Sequence, residues 1–240
     1  MEQQFSGNIP SVIGNLQKLQ FLDLSQNNFV GNIPPSLGNL TNFLELYIGY
    51  NNLQGSIPSS LRQCQKLTTF HLPRNNLSGI ISSQVIGLSF SLNSLNLSSN
   101  QFTSVLPMEI GNLKNLEHLD ISKNMLFGKI PASLASCIML EFLSMGRNFF
   151  IGAIPPCLKS LRDLDYLDLS NNNLSGTIPK FLESFEFLQL LNLSYNNFEG
   201  EVPTIGVLGT PVQLRFKEMV SSVGAYLSFS FLNANPRRAS

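Results

Sequence analysis

Asparagine returns along this chain at Asn27, Asn51, Asn75, Asn100, Asn124, Asn148, Asn172 and Asn196, a spacing of 24 residues broken once by 25. A period of that size is the mark of stacked repeats, in which each unit buries its apolar face only against its neighbours. The same frame surrounds each asparagine: LQKLQFLDLSQNNFVGNIPPSLGN from Leu16, LTNFLELYIGYNNLQGSIPSSLRQ from Leu40 and LRDLDYLDLSNNNLSGTIPKFLES from Leu161. Phe5, Gly7, Ile9 and Pro10 match the second half of the frame, so the chain opens inside a unit. The 240 residues are therefore expected to divide into a repeat array over 1–207 and a tail over 208–240. The array holds a partial unit over 1–15 and eight units from Leu16 to about Pro203.

Each position of the frame has a physical reason. In Leu22-Asp23-Leu24 the alternation turns both leucines inward and Asp23 outward, as in a short strand. Strands of successive units then pair in parallel, roughly 4.8 Å apart. The asparagine comes after the strand, where the backbone turns, and its amide can satisfy peptide groups that the turn would otherwise bury unpaired. Glycine recurs at Gly7, Gly31, Gly55, Gly79, Gly128, Gly152, Gly176 and Gly200, with Ser104 in its place once. Proline after isoleucine, as in Ile33-Pro34, Ile57-Pro58 and Ile178-Pro179, is expected to hold the return segment extended and free of helix. The fold class these positions imply is an α/β-type repeat solenoid. Its concave face is a curved parallel sheet of short strands; turns and short helical or 3-10 segments form its convex face.

Composition excludes several other classes. Net charge is zero and only 12% of residues are charged, so there is no basic stripe for a nucleic acid. No run approaches the roughly eighteen apolar residues of a membrane span, so no direct membrane insertion is expected of this chain. The start, MEQQFSGNIP, does not show the charged-then-apolar pattern of a secretory leader. No GxGxxG loop, GxxxxGK[ST] loop or kinase catalytic-loop sequence occurs. His71 and His118 are the only histidines, nearly two units apart, and are not expected to share a metal or catalytic site. The reading is thus of a chain that is not an enzyme and holds no cofactor or metal.

The unit LxxLxxLxLxxNxLxGxIPxxL resembles the plant-specific class of leucine-rich repeat, found in receptor-like kinase ectodomains, receptor-like proteins and polygalacturonase inhibitors. NLSYNNFEGEVPTIGV, from Asn192 to Val207, resembles the last repeat and exit of receptor-like serine/threonine kinases related to plant sensors of microbial patterns. The resemblance implies a curved horseshoe that binds a peptide or protein ligand, with a co-receptor ectodomain as a further partner. It places the parent outside the cell or at the plasma membrane. It also implies a cysteine-containing cap, a membrane span and a kinase after the repeats. Residues 208–240 do not match that continuation, and back-translation one base earlier can restore a cap, so the tail reads as out of frame.

Ligand contacts in such a solenoid come from outward strand positions and the turn after them. Asp23, Asp120 and Asp168 repeat the LDLS filler and read as solvated or turn-bonding carboxylates. Departures from filler carry more. Glu45, Tyr47, Tyr50, His71 and Arg74 form one candidate cluster, and His118, Lys123, Phe142 and Arg147 a second. Tyrosine and arginine dominate binding hot spots. Five Asn-x-Ser/Thr sequons occur, and Asn39, Asn76 and Asn173 are the glycosylation candidates because Asn96 and Asn192 lie on the inner face. Cys64 and Cys137 take leucine positions of the frame and are expected to be buried and too far apart to bridge, while Cys157 stands apart. Two alternatives stay open at this point: the non-functional product of a broken receptor gene, and a soluble inhibitor of the polygalacturonase-inhibitor kind.

Overall fold

The computed structural model of the protein describes residues 4–86, 91–200 and 213–215. One three-residue strand from each unit joins a continuous parallel sheet: Phe21–Asp23, Glu45–Tyr47, Thr69–His71, Ser94–Asn96, His118–Asp120, Phe142–Ser144, Tyr166–Asp168 and Leu190–Asn192. Gln213–Arg215 adds a ninth rung beside Leu190–Asn192; the rest of the tail over 208–240 lies outside the described residues. Register is unslipped, so Leu46, Phe70, Leu95, Leu119, Leu143, Leu167 and Leu191 form one inward line and all are buried. Each such side chain contributes about 1.5–3 kcal/mol by leaving water, which keeps the first and third strand residues facing outward.

The asparagine ladder works as the sequence predicts, with more partners than one turn supplies. Asn124 donates through Nδ2 to the carbonyls of Ile121 and Ser122 in its own turn, at 3.2 and 3.1 Å, and to Leu97 one unit back, at 3.0 Å. Its Oδ1 accepts the amide of Phe102 at 3.1 Å. Asn51, Asn75, Asn100, Asn148 and Asn196 repeat this pattern and are buried. The residue before each asparagine takes a left-handed conformation, among them Tyr50 at φ 57°, Arg74 at 52°, Lys123 at 54° and Arg147 at 56°. Non-glycine residues reach that region at a steric cost, which the ladder offsets by fixing the turn.

A second run of short strands comes after the turns. Ser6–Asn8, Asn28–Asn32, Asn52–Gly55, Asn76–Gly79 and Gln101–Phe102 form one parallel sheet, and Phe127–Lys129, Phe149–Gly152, Asn173–Thr177 and Asn197–Glu199 another. The break falls where Ser104 replaces glycine. All eight frame glycines have positive φ, Gly128 at 83° for example, and a serine does not enter that region cheaply. The strand stops at Phe102, a lone Val105–Phe127 bridge spans the gap, and the Ser104 hydroxyl accepts the amide of Ile81 at 3.2 Å.

The proline reading needs correction. Proline itself is extended, Pro34 at φ −69° and ψ 130°, but a five-residue 3-10 helix begins at the next residue, as in Pro35–Asn39 and Ser59–Gln63. Proline's fixed φ suits the residue that precedes a helical turn, so it aims the return segment into one instead of keeping it extended. The 25-residue unit differs: it carries an α-turn, Ser83–Ile86, where the others carry 3-10 helix. Cys64 and Cys137 are fully buried and free, and burial pushes both thiols up to about 11. Cys157 is free and partly exposed, its thiol directed at the Ala132 carbonyl at 3.4 Å.

Candidate functional site

The first and third residue of every rung project from the concave sheet, and in this chain they assemble a row of rings. Phe21 and Tyr47 meet at 5.6 Å between centroids, Tyr47 and His71 edge-on at 5.1 Å, and His71 and His118 at 6.2 Å. Beyond them His118 stacks on Phe142 and Phe142 on Tyr166, each at 4.2 Å and within 13° of parallel. In-register pairing of His118, Phe142 and Tyr166 sets that spacing, because each ring rises from the same position of neighbouring strands.

The row is interrupted at the Ser94–Asn96 rung, where the side chains are small. A depression of about 370 Å³ opens there, lined by Tyr47, Thr69, His71, Asn93, Ser94, Glu117, His118, Glu141, Phe142 and Asp165. The two histidines lean across it, and His71 Nε2 and Ser94 Oγ share a hydrogen bond of 2.7 Å. Their separation along the chain had placed them in different clusters. Ser94 leaves the space that lets rings from two different rungs approach, so Tyr47 and His71 of the first predicted cluster and His118 and Phe142 of the second line one depression. Among the described residues no third His, Cys, Asp or Glu joins the pair in a metal-binding group.

Asn93 Oδ1 and His118 Nδ1 have almost no accessible surface and no hydrogen-bond partner among the described residues; Ser133 Oγ, in the Ala132–Ser136 3-10 helix, is a third such atom. Burial, followed by the neighbouring imidazole, lowers the His71 pKa to about 4, with Asp120 and Glu45 opposing. Burial also lowers His118, against the pull of Asp120. Both rings are therefore neutral near pH 7. The unfolded chain takes up protons from about pH 6.5 downward while the folded chain resists, so this contribution to stability is full above pH 6.5 and is lost as pH falls toward 4. Unfolding midpoints in urea at pH 7.5, 6 and 4.5 are expected to decrease in that order, and His71→Gln to flatten the lower part of the series.

The other predicted residues take distinct places. Glu45 accepts a hydrogen bond from the Tyr47 hydroxyl at 2.9 Å; burial and this bond raise the phenol's pKa. Tyr50 and Arg74 form a cation–π pair at 5.1 Å on the turn edge of the sheet, and Lys123 and Arg147 stand exposed at the same left-handed position. Those four do not line the depression. Asp23, Asp120 and Asp168 cap their own turns, accepting the amides of Ser25, Ser122 and Ser170 at 2.8, 3.0 and 2.8 Å, as filler should. Phe21 and Tyr166 extend the ring row, and Asn93, Glu117, Glu141 and Asp165 border the depression, although none was among the predicted contacts. The signal for the last three was a run of acids in successive units, one residue before the outward strand position.

The leucine-rich repeat family model matches residues 18–40, 42–64, 91–113, 115–137, 163–185 and 187–206, together more than half of the chain. The chain belongs to the leucine-rich repeat family. The span the model omits between 64 and 91 contains the α-turn unit. Similar solved structures include plant receptor ectodomains and a plant ice-binding protein, the latter with a TM-score of 0.67 and 28% identity over 83% of this chain and 71% of its own. The ectodomain of the Arabidopsis thaliana membrane receptor kinase GASSHO1/SCHENGEN3, in complex with CASPARIAN STRIP INTEGRITY FACTOR 2, has a TM-score of 0.82 and 39% identity over 83% of this chain and 24% of its own. The plant peptide hormone receptor RGFR1, in complex with RGF2, has a TM-score of 0.80 and 32% identity over 82% of this chain and 31% of its own. The Arabidopsis receptor kinase HAESA, with the peptide hormone IDA and the co-receptor SERK1, has a TM-score of 0.80 and 35% identity over 83% of this chain and 33% of its own. The chain thus spans about a quarter to a third of the length of these ectodomains. No relative is found among curated protein sequences. No helix among the described residues is long and apolar enough to cross a membrane.

Proposed function

We propose that this chain forms part of the ligand-recognition face of a plant receptor-like kinase ectodomain of the microbial-pattern-sensing kind, and that an extended peptide or protein segment lies along its concave sheet. The observation that carries this is the ring row flanking the Ser94 depression. Stacked rings supply rigid contact area at little entropic cost, and an interrupted row gives a side chain somewhere to enter. Further support comes from the similar ectodomains, whose ligands include peptide hormones and, in one case, a co-receptor. A co-receptor ectodomain is accordingly the second partner, and the outer face of the plasma membrane the location. Asn39, Asn76 and Asn173 are exposed and lie outside the concave strands, so glycans there leave this face open.

The test is selection of a random dodecapeptide library on the immobilised chain. Ser94→Phe continues the ring row and fills the depression. It is expected to weaken the selected peptides at least about tenfold, the loss of one good contact, while the thermal midpoint holds. Selected peptides that bind Ser94→Phe as well as they bind the parent chain would place recognition elsewhere.

A further inference from the structure

We infer that this chain pairs with a second copy of itself through the second run of strands, where Val105, Met125, Phe127, Phe149 and Ile151 form an apolar patch. Their side chains are between 41% and 60% exposed. Other units keep these places polar: Asn52, Asn76 and Asn173 stand where Met125 and Phe149 do, and Gln54, Ser78 and Ser175 where Phe127 and Ile151 do. The core does not require the change, because Leu126 and Phe150, which alternate with the patch along the chain, are fully buried. Phe127 pairs in register with Phe149 and bridges to Val105, so the three stand side by side on adjacent units. None of the five belongs to a concave strand, so a copy seated here leaves that face open.

Area selects the occupant. Two rings that are half or more exposed leave about 100 Å² each in water, and the three aliphatic side chains somewhat less, so the patch measures on the order of 450 Å². Patches of that size on a monomer are often functional. A standard interface covers about 1,600 Å² in total, of which about 56–58% is apolar, or about 900 Å². Two copies of this patch supply that amount. Shape points the same way. A two-fold axis along the Phe127–Lys129 strand sets Phe127 on its counterpart and Phe149 over the partner's Val105, large on small, as interdigitating apolar layers require. Lys123, Lys129 and Arg147, each two residues from a member of the patch, are exposed. Their long side chains stay in solvent at the rim of such a dimer, where like charges are screened and cost little.

Sedimentation velocity tests this on chain produced without glycans, which leaves Asn173, paired with Ile151, bare. Twice the mass of the chain is expected at on the order of 50 µM, since interfaces of this size associate at micromolar concentration or below. Phe127→Ser combined with Phe149→Asn returns both places to residues the frame uses elsewhere, and the far-ultraviolet circular dichroism is expected to stay unchanged. A two-fold interface loses each ring twice, so this variant is expected to associate at least about a hundredfold more weakly. Phe187→Ser, exposed but outside the second run of strands, is expected to leave the dimer intact. Raising salt from about 0.05 to 0.5 M is expected to hold or strengthen the dimer, because the like charges at its rim are screened. A chain that stays monomeric at that concentration, a folded double variant that still associates, species that grow beyond the dimer, or association that salt abolishes would each overturn the inference. Peptide selection on the concave face is unaffected by any of these results.

Discussion

Asn124→Ala is expected to lower the free energy of unfolding by about 3–5 kcal/mol, among the largest effects of any single polar substitution in this chain. The Phe102 amide loses its acceptor, and the carbonyls of Leu97, Ile121 and Ser122 each lose one of two donors, keeping Asn100 Nδ2, Asn148 Nδ2 and the Ser99 amide respectively. The orphaned amide costs about 1–3 kcal/mol and each lost carbonyl bond about 0.5–1.5 kcal/mol, and water entering the cavity recovers part of the sum. Alanine also loses the fixed turn that holds Lys123 at φ 54°. The effect spreads, because Leu97 and Phe102 belong to the preceding unit and a repeat array is held together by such interfaces. Urea unfolding monitored by far-ultraviolet circular dichroism measures it. Asn52→Ala is the control: Asn52 is exposed and makes no side-chain hydrogen bond, and its replacement is expected to stay within about 0.5 kcal/mol. Equal effects at the two positions would mean that the asparagines are surface filler.

The second large effect concerns binding. Phe142→Ala is expected to weaken a peptide selected on this chain by about 2 kcal/mol, roughly thirtyfold. Phe142 is the middle ring of the stacked trio, at 4.2 Å from His118 and from Tyr166, and also lines the depression. Its removal takes away contact area and frees both neighbours to move, so the ligand loses a surface as well as a side chain. The same substitution forfeits two ring–ring contacts, each worth about 0.5–1.5 kcal/mol, and therefore lowers stability too. Titration calorimetry well below the variant's thermal midpoint separates the two losses. Gln54→Ala, on the second sheet, is expected to change neither.

How much of this could be read from the amino acids depended on whether geometry forces residue identity. Asn124, Leu119 and Gly128 could be read because one side chain alone satisfies each place: an amide for stranded peptide groups, an aliphatic chain for the interior, no Cβ at positive φ. Ser104 was visible as a departure, but its consequence, a break in the second sheet, arises from how the chain reroutes around a backbone it cannot adopt. The concave face is not forced in this way. Sequence separation kept His71 and His118 apart, while the reach of two rings across a small Ser94 brings them to 6.2 Å. Glu117, Glu141 and Asp165 were passed over because they stand one residue before the strand, where alternation alone does not say that they border a depression. Pro34 misled for a related reason: its own φ is fixed, but packing on the convex side decides the conformation of the residues after it.

Ligand engagement at the depression between His71 and His118 has a direct reporter. These are the only two histidines in the chain, so their ring C2 protons are two separate signals in a one-dimensional proton spectrum. The selected dodecapeptide is titrated into the chain at pH 7.5, with both rings neutral at the start. Both histidine signals are expected to shift and to saturate at the affinity measured by calorimetry. A peptide that binds with that affinity while both signals stay in place would rule out recognition at this site.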